Sequence, residues 1–492
     1  MSTLLFSFVL GLPISGAVLS ALSRRRRTQE FFALSATGLT FAFALWLGIS
    51  VFNQGPLSSR NGTLYADALS AYLIMIVSGS AFAAAVYSVG YLHSHIRKRK
   101  IRPGQLRLYY SLLNIFIFTM LLVLLSNNLG FLWIGTEATT LATAFLVGFY
   151  DDERSLEAAW KYVIICSVGI ALALFGVLLT YFSALHVEEI AAAPLNWTAL
   201  MSAAHKLDPT ILRLAFIFVL IGFGTKAGLA PMHTWKPDAY SEAPAPISGL
   251  MAGGLVNVAL YSLIRFSVLV NKAVGGNFVS GLLELFGLLS IGVAVPFILV
   301  QRDYKRLLAY SSVEHVGIIT FALGVASPLA QFGAMLHMLN NTLVKLLLFF
   351  TAGNVRLAYD SKIIRRVTGA INVIPVSAIF LIAGVFAVTG WPPFGLFISE
   401  FTIVSAGFAG GHFTGTILFL VFTTLIFIGF IYYASGMVFG EPAREITTPD
   451  ANTISLLLLV VLAGTLLLLG VFVPSPLQQL LQKVVTILQG RP

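Results

Sequence analysis

Long apolar blocks separated by short polar stretches run through this chain from one end to the other. Blocks near 3–23, 30–52, 67–92, 109–126, 128–150, 157–183, 211–233, 243–270, 277–300, 308–327, 329–352, 371–392, 395–438 and 453–473 stand out. A bilayer is crossed by a helix of roughly 20 apolar residues, so these blocks predict about 14 transmembrane helices, with 395–438 holding one half of a broken helix plus a full span. The loops between them are too short for a folded soluble domain. Composition agrees: 58% of the 492 residues are hydrophobic and 10% are charged, and the mean hydropathy is +0.90. The predicted fold class is an all-α integral membrane protein, which excludes soluble enzymes, nucleic-acid binders and secreted scaffolds.

Charge then sets the orientation. The net charge is +10, and basic residues of membrane proteins collect in cytoplasmic loops. Of the 30 Lys and Arg, 21 fall in odd-numbered loops and 6 in even-numbered loops and the C-terminal tail. Lys161, Lys236, Lys305, Arg306 and Arg444 are among the first set, and Arg491 is in the second. Both termini are therefore predicted outside, on the periplasmic side of a cell membrane. The first block reads as a retained helix, because its RRRR run at 24–27 follows the apolar stretch instead of preceding it. A single cysteine, Cys166, allows neither a disulfide framework nor a thiolate metal site. The His-Ser-His triplet at 93–95 reads as a solvated loop, RKRKIR at 97–102 as a topogenic run, and Asp67 and Glu284 as ordinary interface charges.

Three basic residues fall inside blocks: Lys226, Arg265 and Lys345. Acids and histidines join them, with Glu137 in GFLWIGTEATTLATAFLVGF, Glu314 and His315 in AYSSVEHVGIITFALG, His337 beside Lys345 in LHMLNNTLVKLLLFF, and Glu400 in WPPFGLFISEF. A charge at the bilayer centre costs at least ~2.5–3.5 kcal/mol, so such residues face the bundle interior and mark ion or proton paths. Lysine suits a path because a desolvated ammonium releases its proton, which arginine does not. Glu137 is the candidate charge partner of Lys226. Histidine relays a proton between its two ring nitrogens, which gives His315 and His337 a place between acid and base. Asn257, Asn340, Asn341, Ser311, Ser312, Thr225 and Thr342 offer positions for bridging water. A secondary polar path takes in Asn257, His337, Asn341, Glu314 and Lys161.

Two spans are broken by their own sequence. Gly222, Gly224, Gly228 and Pro231 interrupt the helix around Lys226, and Gly390, Pro392, Pro393 and Gly395 do the same before Glu400. Irregular backbone at membrane depth is tolerated only inside protein or beside a water-filled cavity, and paired breaks point to internal repeats. The breaks fall in spans 7 and 12, five helices apart, and an odd number of helices per unit makes the two units inverted. The expected organisation is three N-terminal helices in 1–108, a first five-helix repeat in 109–270, a second in 277–440, and a last helix with tail in 441–492.

The stretch GFGTKAGLAPMHTWKPDAYSEAPAPISGLMAGGLVNVALYSLIRF (222–266) resembles the antiporter-like membrane subunits of respiratory complex I and its relatives. The resemblance continues through EAAWKYVIICSVGIAL, RLLAYSSVEHVGII, NNTLVKLLLFFTAGN and GWPPFGLFISEF, covering about residues 65–440. Within that superfamily the sequence looks most like the component F type subunit of the hydrogenase-4 and formate hydrogenlyase branch. The resemblance implies 14 transmembrane helices with two inverted five-helix repeats, and movement of protons or sodium while a partner module does redox chemistry. It also implies translocation roles for Glu137, Lys226, His315, Lys345 and Glu400. The sequence departs from many relatives at Asn257, where an eighth-helix lysine or histidine is common, and at Asn341, where histidine is common.

The leading expectation is thus a proton-translocating membrane subunit of a hydrogenase-like or complex I-like oxidoreductase assembly, not catalytic by itself. The chain has no cysteine ligand set, nucleotide loop or haem motif, so no cofactor or metal is expected in it. Iron–sulfur, nickel–iron, flavin or quinone groups would belong to partner subunits. Expected partners are other membrane subunits, a peripheral redox module or soluble protein on the cytoplasmic side, and lipids, with no nucleic acid. Two other readings share the fold: a subunit of a multi-subunit cation/proton antiporter, and a membrane subunit for inorganic-carbon uptake.

Overall fold

The computed structural model describes residues 2–102, 104–185, 187–441 and 451–490; Arg444 and Arg491, counted above with the basic residues, lie outside the described residues. In chain order the helices are α1 (Ser2–Leu22), α2 (Arg26–Gln54), α3 (Ala68–Arg97), α4 (Gln105–Leu125), α5 (Leu129–Val147), α6 (Glu153–Ala184), α7 (Pro209–Ala227), α8 (Trp235–Glu242) and α9 (Ala245–Val274). They continue as α10 (Phe278–Leu299), α11 (Tyr304–Val325), α12 (Pro328–Tyr359), α13 (Pro375–Val388), α14 (Gly395–Ala409), α15 (Phe413–Phe439), α16 (Thr453–Val471) and α17 (Ser475–Leu488). Among the described residues 13 helices are long and apolar enough to cross a membrane, and two shorter apolar helices, α13 and α14, flank the second break. A small antiparallel hairpin, β1 (Leu57–Ser58) with β2 (Tyr65–Ala66), joins α2 to α3, with Leu57 opposite Ala66.

Polar residues at the block edges start the helices. Asp67, Asn128, Asp208, Asp303, Ser327 and Asn452 each accept a hydrogen bond from a first-turn amide, and Asp152 with Ser155 forms a capping box. Each such cap is worth ~1 kcal/mol. Small residues then let the helices close up. Gly222 of α7 lies so near α6 that a Cβ there would fall 2.5 Å from Ala173, and Gly317 of α11 meets the Gly287 carbonyl of α10 in the same way at 2.7 Å. Association inside lipid depends on such close packing, since the hydrophobic effect no longer distinguishes helix from solvent.

Two groups of helices share one order of neighbours. α4 packs on α5, α5 on α6, α6 on α7 and α8, and α9 on α7; likewise α10 packs on α11, α11 on α12, α12 on α13 and α14, and α15 on α13 and α14. The loops at 98–102, 300–304 and 360–366 meet at one end of the bundle, where Lys100 pairs with Asp360 and the Ile364 amide donates to the Arg302 carbonyl. We call this the basic end. α4 starts there and α10 finishes there, so the two groups run in opposite directions. α9 and α11 are enclosed along their full apolar windows, whereas α15 and α16 leave about two thirds of theirs on the outside.

Several expectations change. Unlike Lys226 and Lys345, Arg265 forms a buried fork on Asp67 at 2.6 and 2.7 Å, with Ser70 Oγ at 2.9 Å and the Trp197 ring 4.3 Å away. It therefore ties α9 to the start of α3, and Asp67 is its counter-ion as well as a helix cap. The His-Ser-His triplet is the last turn of α3 and not a loop: His95 is buried and His93 bonds Glu30 at 2.7 Å. Beyond 473 the tail folds into α17, which buries Leu480, Leu481, Val484 and Ile487 and packs on α3, α9 and α12. α9 also carries a π-helical segment, Met251–Leu255, that the sequence did not announce.

Breaking a buried ion pair on one side costs roughly 3–5 kcal/mol, whereas replacing both partners with apolar residues is far milder. Asp67→Asn should therefore lower the thermal unfolding temperature and membrane yield of the chain sharply, and Asp67→Leu combined with Arg265→Met should recover most of both. Fluorescence-detected size-exclusion after graded heating checks the pair.

Candidate functional site

The first cluster is built where α5, α6 and α7 meet. Lys226 sits in the last turn of α7, fully buried, because Gly228 takes φ +82° and ends the helix there. Its Nζ donates to Tyr162 OH at 2.7 Å and to Thr140 Oγ1 at 2.8 Å. Thr140 Oγ1 in turn donates to Glu137 Oε2 at 3.3 Å, and Ser167 Oγ donates to Glu137 Oε1 at 2.8 Å. The expected pair of Glu137 and Lys226 is thus joined through one hydroxyl rather than by direct contact. That hydroxyl accepts on one side and donates on the other, which is the arrangement a proton wire needs.

The second cluster lies between α11, α12 and α14. Lys345 Nζ donates to Ser311 Oγ, and Glu314 is buried one helical turn further along α11. His315 Nδ1 meets His337 Nε2 at 2.9 Å, and His337 Nδ1 meets Ser399 Oγ at 2.9 Å. The Ser399 hydroxyl donates to the Leu396 carbonyl, so it accepts from His337 Nδ1. His337 Nε2 is then left to accept from His315 Nδ1. Glu400 brings a carboxylate oxygen within 4.8 Å of nitrogens on both rings. Its carboxyl lies over Gly390, φ +66°, where a Cβ would collide with it.

His315, His337 and Glu400 match a metal site in ligand type and spacing. However, both nitrogens of His337 are already hydrogen-bonded, which favours a relay over coordination. Of the secondary residues, His337 belongs to the centre of this cluster. Asn257 donates to Thr342 Oγ1 at 2.8 Å, bridging α9 and α12 next to the π-helical segment. The Oδ1 atoms of Asn257, Asn340 and Asn341 and one carboxyl oxygen of Glu314 are buried without a protein partner. Lys161 stands apart: it is about half exposed near the basic end, 2.6 Å from Glu157 and 3.4 Å from Asp238.

With this geometry in view, comparison with known proteins places the chain. The family profile described as "NADH:quinone oxidoreductase/Mrp antiporter, TM" matches residues 126–427, which include every residue of both clusters. The chain belongs to this family. A relative, the Hydrogenase-4 component F homolog of Methylacidiphilum infernorum (isolate V4), is 39% identical over 397 residues, covering 81% of this chain and 82% of that protein. A solved chain of the membrane-bound sulfane sulfur reductase, an archaeal respiratory membrane complex, superposes with TM-score 0.88 at 23% identity over 99% of this chain and 97% of that one. A chain of the Mrp complex from Dietzia sp. DQ12-45-1b does so with TM-score 0.87 at 17% identity, over 99% and 98%. At those identities the structures speak for the family fold.

Sequence reasoning missed two buried lysines. Lys236 and Lys305 were sorted with the basic loop residues, but both are buried, Lys236 completely. Lys305 Nζ donates to the carbonyls of Ser241 and Ala243 at 2.9 and 2.6 Å. Lys236 Nζ donates to the Ala227 carbonyl at 2.7 Å and the Ser312 carbonyl at 3.3 Å. A signal was available: a helix broken inside the membrane leaves terminal carbonyls that the following segment must answer, and WKPDA is that segment.

Thr140 offers a clean test of the first cluster. Thr140→Val keeps the shape and removes only the bridging hydroxyl, a loss of about 1–2 kcal/mol of coupling between Lys226 and Glu137. Ion flux per assembled complex should fall roughly tenfold, with the amount of complex unchanged, as measured by dye-detected proton uptake in proteoliposomes.

Proposed function

We propose that this chain is a proton-translocating membrane subunit of a hydrogenase-like or complex I-like assembly, in which a partner module carries the redox chemistry. The observation that carries this reading is the row of ionisable side chains from Glu137 and Lys226 to Lys345, His315, His337 and Glu400, in which the two lysines and two histidines are fully buried and the two glutamates half-buried. It lies against the two helices enclosed along their length, α9 and α11, at a depth where charge has no other use that would repay its cost. Glu137 holds Lys226 charged through Thr140; withdrawing the carboxylate lets the lysine release its proton. The histidine pair passes protons toward Glu400. The partnerless oxygens of Asn257, Asn340, Asn341 and Glu314 are positions where water can complete the row.

In this reading the basic end faces the cytoplasm and both termini face outward. A cavity of about 810 Å³ opens at the basic end, lined by Arg154, Lys161, Asp238, Asp303 and Lys362 among others, and serves as the access side. The two matching helix groups act as the two inverted repeats. Other membrane subunits and a peripheral module with iron–sulfur, nickel–iron, flavin or quinone groups would complete the assembly, as the hydrogenase-4 relative supports. The likeness to a chain of the Mrp complex keeps a second reading, a cation/proton antiporter subunit without redox partner. Purification through a tag on this chain separates them: co-purifying hydrogenase or quinone-module proteins support the first, and a set of small membrane subunits alone supports the second.

Lys226→Ala should abolish coupled proton uptake while the complex assembles, and Lys226→Arg should fail as well because a guanidinium keeps its proton. Normal uptake by the arginine variant would reject a shuttling lysine. Glu400→Gln should block uptake at unchanged complex yield, and Glu400→Asp should slow it. Reduced yield with normal uptake per complex would make Glu400 an anchor of its broken helix instead.

A further inference from the structure

Lys236 is a buried cation for which the row above has no use. It makes no ion pair among the described residues. The groups facing it are Lys345 of α12, His315 of α11, Cys166 of α6, His233 of the segment before its helix and Tyr240 of its own helix, whose ring centre is 5.8 Å away. When it carries a proton, the charge is held instead by the carbonyl end of α7, where the helix dipole favours a cation. One of its hydrogen bonds goes to Ala227, the residue after Lys226, and the other to Ser312, the residue after the partner of Lys345. A single amine therefore touches the backbone of both clusters.

The breaks themselves make the same assignment. In the first, left-handed Gly228 is covered by Lys236, whose Nζ would lie 2.8 Å from a Cβ there; in the second, left-handed Gly390 is covered by the Glu400 carboxyl. Each covering group comes from the half-helix that follows its break, α8 or α14. The counterpart of Glu400 in the first group is thus Lys236 rather than Lys226.

We propose that Lys236 is a proton carrier joining the two clusters: its neutral amine takes a proton given up by the Lys226 ammonium and passes it to the neutral amine of Lys345. The proton count balances at each transfer, since one ammonium is lost for each one formed. The proposal rests on the translocating role given above.

The alternative role is a cap on α7, and the two roles separate by substitution. Lys236→Arg keeps the charge and the donors, and so preserves a cap, but cannot release a proton. Lys236→Met removes both and leaves an apolar side chain of similar length. The test uses the native complex, purified through a tag on this chain, reconstituted in liposomes and driven by a potassium–valinomycin potential, with a pH-sensitive dye as reporter. Proton uptake per complex should fall at least tenfold in both variants, with yields within twofold of the unmodified complex. Uptake within twofold of normal in either variant overturns the proposal, as does failure of both to assemble. If one alone fails to assemble, uptake by the other decides. Lys226→Ala runs alongside: if it takes up protons normally, the translocating role itself falls, whereas its loss beside a working Lys236→Arg removes only the Lys236 step.

Discussion

A helix cannot stop inside a bilayer without leaving carbonyls unanswered, and most of this molecule's interior follows from how that is solved at α7. Each unpaired backbone polar group in hydrocarbon costs several kcal/mol. At α7 the Trp235 indole nitrogen donates to the Thr225 carbonyl and the Lys236 amine to that of Ala227. The side chains that close the helix end thus come from the segment immediately after it, and one of them is charged. Around the break, α6 and α11 must offer polar atoms in turn, which brings Tyr162 and the 311–315 turn into the middle of the bundle. Buried polarity here is a consequence of the interrupted backbone as much as a property of individual residues.

The bundle supports this interior with a division of labour. Lipid-facing helices such as α15 and α16 carry little beyond apolar mass, while α9 and α11 are wrapped on all sides and hold their polar groups away from lipid. Arg265 and Asp67 belong to a third class, a desolvated pair that fixes α9 against α3. α9 is thereby held by an ion pair near one end, while its π-helical segment lies nearer the other.

Much of this was legible in the sequence because the bilayer imposes coarse rules. Apolar block length gave the crossings, Gly and Pro gave both breaks, and charge within blocks picked out Glu137, Lys226, Glu314, His315, His337, Lys345 and Glu400. The misses share one cause: charge position along the chain was read as if it fixed depth. Lys236 and Lys305 both lie between apolar blocks, yet Lys236 is carried inside where the chain folds back into the bundle after the break, and Lys305, in the first turn of α11, is buried against the Ser241 and Ala243 carbonyls. Arg265 lies within a block, but hydropathy says nothing about whether a partner such as Asp67, 198 residues away, is waiting. The π-helical segment and α17 left no trace in block lengths, since one depends on local backbone spacing and the other on a short amphipathic stretch lying against the bundle.

The hydrogen bonds through His315, His337 and Ser399 all point the same way. When a proton enters such a file at one end and another leaves at the other, every bond in it is left pointing backwards. The file then cannot accept a second proton from the same side until each ring and hydroxyl has turned over. Both rings are packed on all sides, so the turnover needs their neighbours to give way. In the proposed role, such a file would admit one charge per reset.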